Sequence, residues 1–189
     1  MFTLRNYQTD CVQAIIKDLE IYDRVAAVLP TGSGKSLIEV AVIDSFLKDF
    51  RFGDCVLFLC HIKDLSIQLR ETFEEHSEYP KTGFLYTGDR KPLMTSKVLF
   101  STMQSAVSDK RRLDQPLGKK VRLIVIDEAH FVSVKSYTKI CDEFYPDAKV
   151  LGLSATPFRE NKYSFSQFDR VSYAIDIQTL IDSAYLVPP

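Results

Sequence analysis

Leu29-Pro-Thr-Gly-Ser-Gly-Lys-Ser36 follows directly on the apolar run Val25-Ala-Ala-Val-Leu29. An apolar run, a glycine-bearing turn and a new amphipathic stretch predict a strand, a loop and a helix start. That is the setting a phosphate-binding loop requires. Backbone N–H groups of such a loop and of the new helix surround an anion. Lys35 then brings a point charge to the outer phosphates, and the Ser36 hydroxyl a ligand for magnesium. Leu29 stands where the first glycine of the simple G-x4-G-K-[ST] pattern belongs. A glycine–serine turn without a ligand is the alternative for this stretch taken alone.

Working outward, the other informative run is Leu123-Ile-Val-Ile126, which ends on Asp127-Glu-Ala-His130. Four apolar residues predict a buried strand, which places both carboxylates at its carboxyl end. In a parallel sheet that edge is shared with the loop at 29–36. An aspartate there holds magnesium through water, and a neighbouring glutamate orients or deprotonates an attacking water. The alternative is that the acids merely cap a helix, since acids favour first turns.

The remaining periodicity fills in an α/β chain. Val12, Ile15, Ile16 and Leu19 predict a helix around Thr9–Glu20, and Leu37, Ile38, Ala41 and Phe46 one that runs from the loop to about Lys48. Cys55–Leu59 reads as a strand, and Leu65, Leu69, Phe73 and His76 as one helix stripe. Short strands are expected at Thr82–Tyr86 and Val98–Ser101, on either side of the turn Thr87-Gly-Asp-Arg90. A short helix carrying Tyr137, Ile140, Cys141 and Phe144 precedes a strand at Lys149–Leu153. A strand at Val171–Ile175 and a helix at Asp176–Ala184 close the chain. Strands alternating with helices predict one mainly parallel sheet covered by helices on both faces.

Bulk properties narrow the function classes. The 189 residues suit a single domain over 1–189, with 46% hydrophobic and 26% charged residues. A net charge of −1 gives no global basic field, so any nucleic-acid contact must be a local patch. No apolar stretch reaches membrane-spanning length, and residues 1–5 lack signal-peptide architecture, so no membrane role and a cytoplasmic setting are expected. The four cysteines form no CxxC pair and the three histidines complete no zinc pattern, which predicts reduced, mainly buried thiols.

Four stretches together carry a resemblance to a known family. Leu4-Arg-Asn-Tyr-Gln8, Leu29–Ser36, Val125-Ile-Asp-Glu-Ala-His130 and Leu153-Ser-Ala-Thr-Pro157 occur in that order. They resemble the Q-type motif and motifs I, II and III of the first RecA-like domain of superfamily-two helicases of the DEAH-box type. Leu151-Gly-Leu-Ser-Ala-Thr-Pro-Phe-Arg159 and Leu180–Pro189 are similar in wording to the RadD-like and type III restriction helicases. The resemblance covers essentially the whole chain and implies a RecA-like P-loop NTPase fold. It implies use of ATP and Mg2+, action on nucleic acid with DNA favoured over RNA, and a role in DNA repair or recombination.

Carried over residue by residue, the resemblance implies that Gln8 reads the adenine edge, with Arg5 or Tyr7 stacking beside the base. Thr31, Gly32, Ser33 and Gly34 would wrap the phosphates, joined by Lys35 and Ser36. Asp127 would serve magnesium, and Glu128 the water. His130, Ser154 and Thr156 would connect the nucleotide site to the strand track, or be no more than buried hydrogen-bonding residues. His61 and Lys63, at the start of a helix, would meet backbone phosphate, as would Gly88, Arg90, Thr102 and Gln104 in the next two motifs. Lys110, Arg111 and Arg112 read as a solvated loop, with a basic patch as the alternative.

Helicases of this superfamily close two RecA-like domains over ATP, and the second supplies arginine fingers to the transferring phosphoryl group. The chain stops where the first domain would hand over to the second. A second domain, in cis or from a partner in trans, is therefore expected, and the isolated chain is expected to bind ATP weakly and turn it over slowly or not at all. Two other readings share these motifs: a regulatory nucleotide- or strand-binding module without motor activity, and a restriction translocase subunit.

Overall fold

The computed structural model describes residues 3–80, 83–85, 95–108, 120–155 and 166–187. Continuous apolar runs become the strands of one sheet: β1 (Arg24–Val28), β2 (Asp54–Cys60), β3 (Gly83–Leu85), β4 (Val98–Thr102), β5 (Lys120–Ile126), β6 (Lys149–Ser154) and β7 (Arg170–Ala174). The spatial order is β3-β4-β2-β5-β6-β1-β7, and every described pairing is parallel. β3 and β4 pair in parallel too, so they are not the two arms of a hairpin. The expected ends at Thr82 and Tyr86, and the turn at 87–90, lie outside the described residues.

Alternation along each strand builds two cores. Val56, Phe58 and Cys60 of β2 face the same way as Val25 and Ala27 of β1 and Val125 of β5. Against them pack α1 (Asn6–Ile21), α2 (Lys35–Leu47) and α3 (Lys63–His76). Cys55, Leu57 and Leu59 face the other way with Ile124 and Ile126, under Met103 and Ala106 of α4 (Met103–Ser108) and under Tyr137, Ile140 and Cys141. A strand apolar on both faces is what a helix-covered parallel sheet needs.

Local chemistry shifts some boundaries. α1 starts at Asn6 rather than near Thr9, because Gln8 Oε1 accepts the Arg5 N–H at 2.9 Å and holds the first turn. The segment carrying Tyr137 to Phe144 is one α-turn, α5 (Val134–Tyr137), that continues as a π-helix over Thr138–Phe144. The Ser133 hydroxyl starts it by accepting the Ser136 N–H. α6 (Ile177–Asp182) is capped in the same way by Asp176, whose carboxylate accepts the Thr179 N–H at 2.8 Å. All four cysteines are buried and free. Among the described residues no helix is long and apolar enough to cross a membrane.

Candidate active site

β1 and β5 both pair with β6, so the loops leaving their carboxyl ends are one strand apart. The loop after β1 turns through Gly32 at φ 81° and Gly34 at φ 73°, both left-handed, before α2 begins at Lys35. A Cβ on Gly34 would also lie 2.5 Å from Gln8 Nε2, so no larger residue fits there without strain. By helix geometry the first N–H groups of α2 have no acceptor within the helix and point into the loop. Lys35 Nζ lies 3.5 Å from the Leu29 carbonyl and 3.5 Å from Glu128 Oε1. The amine of the first motif and an acid of the second therefore meet across one strand.

The end of β5 is shaped for this. Asp127 N–H donates to the Leu59 carbonyl at 2.9 Å, which extends the ladder by one residue. Glu128 then adopts φ 48°, a left-handed conformation unusual for a residue with a side chain, and its N–H donates to Asp127 Oδ1 at 2.9 Å. The acids do not cap an α-helix; only a 3-10 turn, Ala129–Phe131, follows. Glu128 Oε2 accepts the Ala155 N–H at 3.3 Å and lies 3.3 Å from His130 Nδ1. The same imidazole nitrogen is 2.9 Å from Ser154 Oγ at the end of β6. Lys35, Glu128, His130 and Ser154 thus form one connected polar chain across β1, β5 and β6.

The electrostatics of this corner are unbalanced. Burial, then the neighbouring Glu128 charge, raise the Asp127 carboxyl above its usual range, and Lys35 opposes them. Glu39, one turn along α2 from Lys35, is 1% exposed. It is pushed up by burial first and by Asp127 next, again against Lys35. Its carboxyl lies against that of Asp127, no N–H or hydroxyl among the described residues donates to either of its oxygens, and the buried Ser33 hydroxyl is without a partner there. Three carboxyls around one ammonium repel one another when ionised, and a divalent cation relieves that repulsion. The donors are hard oxygens, the chemistry magnesium selects. No group of three His, Cys, Asp or Glu side chains among the described residues could hold a metal without other ligands. Magnesium held by one or two side chains, water and phosphate oxygens fits that arrangement.

Of the residues expected at the base, Tyr7 and Gln8 hydrogen-bond the loop, and Arg5 meets Tyr185. Tyr7 is 5% exposed, and its hydroxyl donates to the Ser33 carbonyl at 2.7 Å, so its ring offers no open face for stacking. Gln8 Nε2 donates to the same carbonyl at 2.9 Å while its Oε1 holds the Arg5 N–H. Pairing with an adenine edge would require Gln8 to exchange those bonds. Arg5 lies over the Tyr185 ring at 5.5 Å and donates to the Tyr185 carbonyl at 2.9 Å. Tyr185 also meets the Tyr7 ring edge-on, and Leu186 lies against Gly32.

Of the expected strand-contact residues, His61, Lys63, Thr102 and Gln104 lie at the same edge of the sheet. Lys63 is the first residue of α3, and His61 lies two residues before it, outside the helix. The His61 ring stacks at 5.3 Å on Phe131, which is 60% exposed and also touches the His130 ring. Thr102 Oγ1 accepts the Ser105 N–H at 3.2 Å and so starts α4, while Gln104 is exposed. Gly88, Arg90, Lys110, Arg111, Arg112 and Thr156 lie outside the described residues. Sequence reasoning missed Glu39, Phe131 and Tyr185. Only Glu39 carried a signal, as an acid inside the apolar run Leu37-Ile-Glu-Val-Ala-Val-Ile43.

Residues 1–159 match the family described as type III restriction enzyme, res subunit. IRC3 of Saccharomyces cerevisiae, provisionally named an ATP-dependent helicase, is 29% identical over 97% of this chain. The Drosophila melanogaster DEAD-box ATP-dependent DNA helicase Fancm is 30% identical over 98% of it. The chain spans 28% of IRC3 and 13% of Fancm. The Pyrococcus furiosus Hef helicase domain superposes with a TM-score of 0.70 at 28% identity, over 90% of this chain and 38% of that one.

Proposed function

The chain belongs to the type III restriction enzyme res subunit family, with the fold of the first RecA-like domain of superfamily-two helicases, and from that premise we propose that it is the ATP-binding motor domain of a DNA helicase or translocase. The observation that carries this reading is the 3.5 Å approach of Lys35 Nζ to Glu128 Oε1, which brings the first and second motifs to one corner. Ser36 and Asp127 would hold magnesium, while the N–H groups around Thr31, Gly32, Ser33 and Gly34, with Lys35, would hold the phosphates. Magnesium supplies charge neutralisation and a bridge between phosphate oxygens when bound.

Triphosphate competes with Glu128 for the Lys35 amine. Once Lys35 turns to phosphate, Glu128 Oε1 is released to orient and deprotonate the attacking water. Its other oxygen stays tied to Ala155 N–H and beside His130. A change at Glu128 is therefore felt at Ser154, the end of β6, through the imidazole. We place the nucleic-acid track along the same edge, at His61, Lys63, Thr102 and Gln104, where backbone contacts need no base sequence. Fancm's name specifies DNA, which supports DNA over RNA for this chain. A second RecA-like domain, in cis or in trans, would complete the site with arginine. A repair or recombination role follows the relatives, and four reduced thiols suit a cytoplasmic setting.

The test is ATP hydrolysis with and without single- and double-stranded DNA or RNA, for this chain and for the chain joined to a second RecA-like domain. Slow turnover by the chain alone and DNA-stimulated turnover by the joined form are expected. Strong DNA-stimulated turnover by the 189-residue chain alone would overturn the need for a second domain. Nucleotide and strand binding without turnover in the joined form would favour a regulatory module.

A further inference from the structure

Glu39 follows Ser36 by three residues and Lys35 by four on α2, so all three project from one face of the helix. It is 1% exposed, on a helix whose Ile38, Val40 and Ile43 are buried as well. Burial of a carboxyl that meets a second carboxyl and receives no N–H or hydroxyl donor among the described residues is destabilising, and folded proteins retain few such groups. Its charged neighbours are not random either. The groups that act on it are Asp127, Lys35 and Glu128, the side chains to which the proposed reaction assigns metal, phosphate and water. A buried carboxyl whose charged neighbours belong to the reacting corner points to a counterpart in the ligand.

Magnesium keeps several of its waters when it binds protein and phosphate, and the hydrogens of those waters need acceptors. In a buried corner, acceptors are scarce. We propose that Glu39 is a positioning residue for the metal, its oxygens, which take no N–H or hydroxyl donor among the described residues, accepting hydrogen bonds from water on the magnesium that Ser36 and Asp127 hold. The proposal rests on the reading of this corner as a magnesium–nucleotide site. Residues that orient a metal's ligands in this way change its affinity about 10–100-fold when removed.

The experiment measures Mn2+ affinity of the ADP complex by electron paramagnetic resonance, ADP affinity in EDTA, and the melting temperature of the free chain in EDTA. Glu39→Met fills the same space without acceptors. Mn2+ should bind the Glu39→Met complex about tenfold or more weakly, with ADP affinity in EDTA unchanged and the free chain melting no lower than wild type. Glu39→Gln keeps one acceptor and should fall between, about threefold weaker, and it decides the question if the methionine variant does not fold. Wild-type Mn2+ affinity in Glu39→Gln, or in a folded Glu39→Met, would overturn the role of Glu39 while leaving the site itself standing. Failure of the wild-type chain to bind ADP would overturn the site reading, and with it this inference.

Discussion

The two edges of the sheet use the same residue types to opposite ends. At the amino edge, a cleft of about 370 Å³ is lined by Glu20, Asp49, Asp54, Arg122, Asp147 and Lys149. Several charges at that edge find partners. Lys149 Nζ donates to Asp23 at 2.8 Å and to the Tyr22 carbonyl at 3.1 Å, and the Lys149 hydrogen bond and charge hold Asp23 below its usual range. Asp54 accepts the Arg51 N–H, and Arg24 pairs with Asp142. At the carboxyl edge, Lys35 faces three carboxyls, and one of them, Glu39, takes no N–H or hydroxyl donor among the described residues. Paired and solvated charges close a fold. Buried and under-partnered ones mark a place completed by something else.

Substitutions at the two edges should separate those roles. The largest effect belongs to Glu128→Gln in a two-domain form. ATP binding should persist while steady-state turnover falls about 10²–10⁴-fold, as for loss of a general base; turnover at the wild-type rate would remove Glu128 from water activation. Next is Gly34→Ala, which forces a left-handed alanine against Gln8. The backbone alone costs about 1–2 kcal/mol, lowering the melting temperature by about 2–8 °C in a domain of this size. An unchanged melting temperature would contradict the tight approach of α1 to the loop.

The amino edge should respond far less. Lys149→Ala removes a surface pair worth about 0.2–1 kcal/mol in urea unfolding and should leave nucleotide affinity untouched. Away from both edges, burial pushes the Cys11 and Cys141 thiols up to about 12. At pH 8 about one thiol in ten thousand is then ionised, so labelling of these two by a thiolate-specific disulfide reagent should track unfolding and quicken as pH rises. Rapid labelling of the folded chain at pH 8 would show that the helices do not seal the core.

What the sequence made legible was whatever short-range pattern encodes. β2 and β5 are continuous apolar runs, and the loop at 29–36 and the acids at 127–128 lie next to the strands that position them, so both the sheet and the central pair could be read from spacing. The π-helical stretch at Thr138–Phe144 has the same apolar spacing as an α-helix, which hides it. The resemblance puts Tyr7 and Gln8 at the base; their hydrogen bonds to the Ser33 carbonyl are set by tertiary approach and leave no trace in residue identity. Tyr185 reaches Arg5 from the far end of the chain, and no local rule brings those two together. Glu39 showed in the sequence as an acid among apolar residues, but its direction did not.

The most direct test is calorimetric titration of the chain with a non-hydrolysable ATP analogue and magnesium, with Lys35→Ala and Lys149→Ala in parallel. One nucleotide per chain should bind to wild type and to Lys149→Ala alike. Binding to Lys35→Ala should be weaker by about a hundredfold, the scale of a charge-assisted contact. Equal affinity in the wild-type and Lys35→Ala chains would contradict the convergence of Lys35 with the acids on a single triphosphate–metal site.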